Sequence, residues 1–92
     1  MPKKASFAVA GGDRATGWIV KLSVVGVEVE SLQTPPVGSE IVFWAELIDG
    51  EGEVAMPGRV QWATFARFSV LFGPLGARET RAVVRATRSS AS

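Results

Sequence analysis

Hydrophobic and polar residues alternate along most of the chain, which is the period-two pattern of half-buried β-strands. In the clearest case, Val25, Val27 and Val29 alternate with small or acidic residues. We predict six strands, of which the first, Ser6–Ala10, has the weakest pattern. The other five have these predicted inward-facing sets: Trp18, Val20 and Leu22; Val25, Val27 and Val29; Ile41, Phe43, Ala45 and Leu47; Val54, Met56, Val60 and Trp62; Phe68, Val70 and Phe72.

Clusters of Gly, Pro and Asp separate these segments, at residues 11–13, 35–38 and 49–52, and such clusters mark turns. Short connections favour antiparallel neighbours, and six strands in a small chain favour a closed barrel, which has no exposed edge. Pro57 and Gly58 interrupt the fifth strand. Because proline has no N–H for a ladder, we predict a bulge or a strand edge there.

A helix is predicted after the last strand, because the period-two pattern ends at the breaker residues 73–76. It runs from Ala77 to about Arg88, and a frayed tail of residues 89–92 follows it. Four arginines fall within an arc of about 80° on this helix; they are Arg78, Arg81, Arg85 and Arg88. The opposite face, predicted to pack, carries Thr80, Val83, Val84 and Thr87. The predicted fold class is all-β: a six-stranded antiparallel β-barrel with a C-terminal α-helix.

Length and composition indicate one small domain that lacks the usual catalytic side chains. The 92 residues suffice for a single domain, assigned to residues 1–92 with its core in about residues 5–88. The sequence contains no Cys, His or Tyr. It therefore has no disulfide, no Ser–His pair and no thiolate or imidazole metal ligand. These absences predict a non-catalytic binding module without a metal or cofactor.

The charged residues are distributed unevenly, although the net charge is only +1. Residues 28–53 contain seven acids and no base, whereas all ten bases lie in residues 1–21 and 59–88. One interpretation is solvated strand faces and a solvated helix face. The other is two oppositely charged surfaces, of which the basic one suits an acidic partner.

The sequence predicts a cytoplasmic protein without a membrane span. The first four residues carry the positive charge of a secretory signal, but the apolar segment after them, Ala5–Ala10, is too short for one. No apolar run approaches the roughly 20 residues of a membrane helix.

Residues 21–26, Lys-Leu-Ser-Val-Val-Gly, resemble the Asp/Asn-x-Ser-x-x-Gly motif of the PilZ domain family. The resemblance extends over about Gly17 to Arg88, in the family's order. The further matching segments are Val25–Val29, Pro35–Ile41, Gly58–Trp62 and Ser69–Phe72. The resemblance implies the six-stranded barrel, and a receptor for the bacterial second messenger cyclic di-GMP or an adaptor descended from one, in a process such as motility.

The resemblance also implies two parts of a nucleotide site. In members that bind the nucleotide, an N-terminal Arg-x-x-x-Arg pair grips the phosphates and stacks on guanine, as planar guanidinium groups can. The Asp/Asn and Ser of the second motif meet the guanine edge, and the Gly permits a tight turn.

In this chain Ser23 and Gly26 match that motif, but Lys21 stands at the Asp/Asn position. The guanine edge offers N–H donors, whereas an ammonium group has three donors and no acceptor. No Arg-x-x-x-Arg precedes Lys21, and Arg14 stands alone. Ser69 adds a side chain where the family often has Gly. We therefore predict a degenerate cyclic di-GMP site at Lys21, Ser23, Gly26 and Arg14. The alternative is that the turn itself requires Ser23 and Gly26.

Two further features are candidates for binding a protein partner. The first is the arginine face of the helix (Arg78, Arg81, Arg85 and Arg88), for which the alternative is a solvated surface. The second is Trp44, which with Val42 would form an exposed apolar patch. For Trp44 the alternative is a place beneath the helix or against the opposite barrel wall.

A third class of function is single-stranded nucleic-acid binding, which small barrels achieve with basic grooves and aromatic platforms. The candidate residues are Arg59, Trp62, Phe65, Arg67 and Phe68. The acids in mid-chain and the lack of an RNA-binding signature make nucleic acid the weakest of the three partner classes. We therefore predict a protein-interaction adaptor first, and a direct cyclic di-GMP receptor as the alternative.

Overall fold

The structure is a computed structural model that describes residues 3–90. Its elements are β1 (Lys3–Val9), β2 (Ala15–Leu22), β3 (Gly26–Glu30), β4 (Glu40–Ala45), β5 (Val54–Ala63), β6 (Arg67–Phe72) and α1 (Ala77–Ser90). All neighbouring strands are antiparallel and they close into a barrel in the order β1-β2-β3-β6-β5-β4. The predicted fold class is confirmed. The helix continues two residues beyond Arg88, and residues 91–92 of the predicted tail lie outside the described residues.

The hydrophobic core fills the barrel with the inward side chains of its strands. Phe43, Met56 and Phe68 are completely buried, and the ring of Phe7 meets that of Phe68 edge-on at a centroid distance of 4.8 Å. Aromatic pairs prefer this geometry, because the positive ring edge faces the negative ring face.

Helix α1 packs against the barrel through a narrower face than predicted. Val83 and Ala86 are buried in the core, whereas Val84 and Thr87 are half-buried. Thr80, which the sequence assigned to the packed face, is exposed. No helix of the described residues has the length and apolarity needed to cross a membrane.

The predicted orientation of the second strand is wrong. Trp18 and Val20 point outward and are exposed, while Gly17 is buried on the inner face. A Cβ on Gly17 would stand 2.6 Å from the Val29 side chain, so the core has room only for glycine there. The small inward residue leaves the large apolar side chains of β2 on the outer surface.

Two β-bulges change which residues face inward. The β2–β3 register shifts between Ile19 and Lys21, which returns Leu22 to the core side. The β5–β6 register shifts between Val60 and Trp62. Since an extra residue reverses the alternation, Trp62 is exposed and its predicted inward orientation is wrong.

Of the two alternatives predicted at Pro57, a bulge or a strand edge, the bulge is absent, because β5 pairs with β4 without interruption there. The Pro57 carbonyl accepts a hydrogen bond from the Gly73 N–H, just past the end of β6. The N and O atoms of one strand residue point to the same side, so the proline nitrogen also faces the region beyond β6. Pairing of β5 with β6 begins only at Gly58. The missing N–H of Pro57 therefore costs no hydrogen bond between these two strands.

Candidate functional site

The Ser23 hydroxyl holds the turn between β2 and β3. Its Oγ accepts hydrogen bonds from the N–H groups of Val25 (3.3 Å) and Gly26 (3.2 Å), and donates to the Gly26 carbonyl (3.3 Å). The Ser23 N–H donates to the same carbonyl at 2.9 Å. A hydroxyl can donate one hydrogen bond and accept two. The Ser23 hydroxyl makes all three of these bonds within the turn.

Gly26 is required by the close approach of two strands. A Cβ at this position would collide with the Val70 carbonyl oxygen of β6, which is backbone and has little room to move. The backbone φ of Gly26 lies outside the left-handed region. The sequence assigned this glycine to a tight turn, but the packing of β3 against β6 imposes the requirement.

A shallow depression of about 290 Å³ lies beside this turn on the outer surface. It contains the exposed Lys21 together with three side chains that the sequence analysis did not assign to the site: Glu28, Gln61 and Trp62. Strand register brings them together, since Glu28 is the cross-strand partner of Lys21 and the β5 bulge turns Trp62 outward. Ser69 also lines it. The depression thus offers an ammonium, a carboxylate, an amide and an indole ring.

Arg14 is not brought to this depression. Its guanidinium carbon lies 4.0 Å from the centroid of the Trp44 ring. The same group donates to the Ser6 hydroxyl at 2.8 Å and to the Glu53 carboxylate at 3.0 Å. These partners belong to β1, to β4 and to the residue just before β5, whereas the turn with Ser23 joins β2 to β3.

Trp44 is half-buried on the outer wall, where the Arg14 guanidinium covers its ring. The core cluster does not contain it. Val42 is also half-buried. The ring is therefore less available to a partner than the predicted exposed patch implied.

The arginine face of α1 is exposed along its length. Arg78, Arg81 and Arg85 line a groove of about 580 Å³ between the helix and the β4–β5 loop, with Leu47 and Ile48 among its apolar residues. Arg85 spans the groove to the Glu51 carboxylate at 2.9 Å. The other arginines of this face make no ion pair with any described residue.

The opposite charges of the sequence are interleaved by the fold. Every ion pair within residues 3–90 joins an acid of the segment 28–53 to a base outside it: Lys3–Asp49, Arg14–Glu53, Arg59–Glu40, Arg67–Glu30 and Arg85–Glu51. Their side chains are substantially exposed, so each contributes about 0–1 kcal/mol. Apart from the exposed arginine face of α1, the fold therefore places bases beside the acids of this segment.

The candidate nucleic-acid residues do not form a basic aromatic groove. Phe68 is completely buried, whereas Phe65 is almost fully exposed. Arg59 and Arg67 are each paired with a glutamate. Phosphate binding at either arginine would compete with a carboxylate.

Comparisons with known proteins identify a similar fold among solved structures, but no family or curated protein that is similar in sequence. No protein-family model and no curated protein matches the sequence. Among solved structures, the chain is similar to the PilZ domain of CeSA from a cellulose-synthesizing bacterium, with a TM-score of 0.79 and 20% sequence identity. The match covers 100% of this chain and 95% of that one. With its closed antiparallel barrel and C-terminal helix, this chain is a PilZ-like domain in its fold.

Proposed function

We propose that this chain is a non-catalytic signalling module of the PilZ type, which acts as a protein-interaction adaptor in a cyclic di-GMP pathway such as motility, in the bacterial cytoplasm. The proposal includes a degenerate nucleotide site. One observation carries it: the Ser23 hydroxyl is fully engaged within its turn, and Lys21 beside it offers only donors.

The binding free energy of the missing contacts is large enough to decide between an adaptor and a receptor. Guanine recognition at this edge needs acceptors, and phosphate binding in the resembling family uses an arginine pair. Arg14 is instead engaged with Trp44 and Glu53. A hydrogen bond to a charged group contributes about 1.5–3 kcal/mol, so the loss of two such contacts takes a micromolar Kd to about 1 mM or weaker.

The arginine face of α1 supports the adaptor role. Arg78, Arg81 and Arg88 are exposed, and no described acid pairs with them. Guanidinium groups bind carboxylates in a bidentate manner and are common at protein interfaces. The partner that suits this surface is acidic.

A direct receptor is the second candidate, and Glu28 favours it. Its half-buried side chain lines the depression beside Lys21 and provides the carboxylate oxygens that Lys21 lacks. Trp62, 41% exposed, adds a ring on which a base could stack. In a receptor, Glu28 would accept the guanine N–H groups.

Calorimetric titration with cyclic di-GMP separates the two candidates. The adaptor proposal expects no saturable heat up to about 1 mM. Glu28→Gln removes the acceptor charge, and Glu46→Gln is its matched control, because Glu46 is exposed and lies outside the depression. Micromolar binding that Glu28→Gln abolishes and Glu46→Gln preserves would establish the receptor and overturn the adaptor proposal.

A further inference from the structure

Two large apolar side chains protrude into solvent at one end of the barrel. Leu32, in the β3–β4 loop, is 95% exposed, and Phe65, in the β5–β6 turn, is 94% exposed. The core cluster contains neither of them. Each exposes nearly all the surface that an apolar side chain can expose, so neither contributes to packing within the chain.

Backbone pairing brings Leu32 and Phe65 side by side. The β3–β6 ladder ends at Glu30 opposite Arg67, and a hydrogen bond of 2.9 Å from the Ser31 N–H to the Ala66 carbonyl extends it by one step. Leu32 and Phe65 occupy the next opposed positions. Because side chains alternate between the two faces of a strand and Ser31 is buried, both of these residues turn outward.

A third apolar side chain and an ion pair complete this surface. Trp18 on β2 is the cross-strand partner of Glu30 and is 45% exposed. Glu30 forms an ion pair with Arg67 at 3.3 Å. We call Trp18, Glu30, Leu32, Phe65 and Arg67 the barrel-end patch. Aromatic residues and arginine are the types enriched at the energetic centres of protein interfaces.

We propose that the barrel-end patch binds a second copy of this chain around a two-fold axis. The patch holds one acid and one base beside its apolar residues, so it carries no net charge and two copies do not repel each other. In a two-fold contact, residue i of one copy meets residue j of the other and the reverse. Arg67 of each copy then lies opposite Glu30 of the other, while the apolar side chains pack together.

A two-fold contact of standard size needs only a modest share of the chain's surface. A standard interface buries about 800 Å² on each partner, which is roughly one seventh of the chain's 5678 Å² surface. The neighbouring β3–β4 loop adds the exposed Val37. The patch uses neither α1 nor the depression at Lys21, so self-association is independent of the proposed adaptor or receptor role.

Sedimentation of the chain over about 1 μM to about 1 mM tests self-association. We expect the mass to rise from 9.7 kDa to twice that value. Phe65→Ser and Leu32→Ser should each weaken the dimer at least about tenfold, which corresponds to about 1.4 kcal/mol. Val24→Ser is the matched control, since Val24 is exposed in the turn at the other end of the barrel. A wild-type chain that stays monomeric at about 1 mM overturns the proposal.

Charge exchange tests the two-fold arrangement itself. Glu30→Arg places like charges opposite each other in a homodimer, and so does Arg67→Glu. Each variant alone should be monomeric, whereas an equimolar mixture of the two should form a heterodimer, because every contact then joins an arginine to a glutamate. The double variant should self-associate like the wild type, and circular dichroism checks that all of them fold. A mixture that stays monomeric while the wild type dimerises overturns this geometry.

Discussion

The guanidinium carbon of Arg14 lies 4.0 Å from the centroid of the Trp44 ring. The same group donates hydrogen bonds to Ser6 and Glu53. One side chain from the β1–β2 loop thereby joins β1, β4 and the start of β5, which are neighbours in the barrel. A residue that the sequence suggested for a nucleotide site stabilises the barrel wall.

Replacing Arg14 should therefore reduce stability. Arg14→Ala should lower the free energy of unfolding by about 1–2 kcal/mol, the sum of a cation–π contact and an exposed ion pair. Arg14→Lys should recover only part of it, because an ammonium does not make the planar contacts of a guanidinium. Urea unfolding measures both. Arg78→Ala removes an exposed arginine that makes no ion pair within residues 3–90, and it should change stability by less than about 0.5 kcal/mol. Equal effects at the two positions would contradict this role.

Gly26→Ala should be strongly destabilising. The new Cβ meets the Val70 carbonyl, so β3 and β6 must separate, and we expect a loss of about 2 kcal/mol or more in thermal or urea unfolding. Gly76→Ala is a sharp comparison: its Cβ would also be crowded, but by the end of the flexible Glu79 side chain. That variant should lose less than about 1 kcal/mol. A mild effect at Gly26 would show that the two strands can move apart.

Ser23→Ala should act on the turn whether or not a ligand is present. It leaves two backbone N–H groups without their acceptor, and we expect a loss of about 1–2 kcal/mol in urea unfolding. Ser23→Thr retains the hydroxyl and should keep most of the stability. Ser69→Ala, on the same depression, removes a hydroxyl that makes no hydrogen bond within the described residues. It should be close to neutral, so a Ser23→Ala variant as stable as Ser69→Ala would refute a structural role.

Two phenylalanines three positions apart should lose very different amounts of stability on truncation. Phe68→Ala empties a completely buried position and should cost about 3–5 kcal/mol. Phe65→Ala removes a side chain that is 94% exposed and should change the unfolding free energy of the monomer by less than about 0.5 kcal/mol. Denaturant melts at a concentration low enough to keep the chain monomeric test the contrast. Similar losses at the two positions would be inconsistent with the β6 register.

The strands with unbroken alternation could be predicted from the sequence, including β4 and, apart from Val25, β3, because a period of two fixes the inward residues when one face is buried. The sequence assigns Val25 to the inward set, but it lies before β3 and is 61% exposed. The orientation of β2 could not. Gly17 faces the core because Val29 stands close to it, and that contact is set by a different strand. The two bulges could likewise not be predicted from the sequence, since the extra residue of a bulge needs no special side chain.

Part of the candidate site could likewise be predicted from the sequence, and part of it could not. Lys21, Ser23 and Gly26 are local in the chain, and a motif was enough to single them out. Glu28 joins them through the β2–β3 register and Trp62 through the bulge in β5. Arg14 does not lie at the candidate site, because its side-chain partners come from three separate segments of the chain. No spacing pattern in the sequence predicts those contacts.

The placement of α1 relative to the barrel-end patch has a consequence for avidity. The helix follows the carboxyl end of β6, whereas Phe65 precedes the amino end of the same strand. Two chains joined at the patch would therefore carry their arginine faces at the two far ends of an elongated particle. Such a particle is bivalent: it could bridge two acidic targets, or hold one repeated target more tightly than a single domain does.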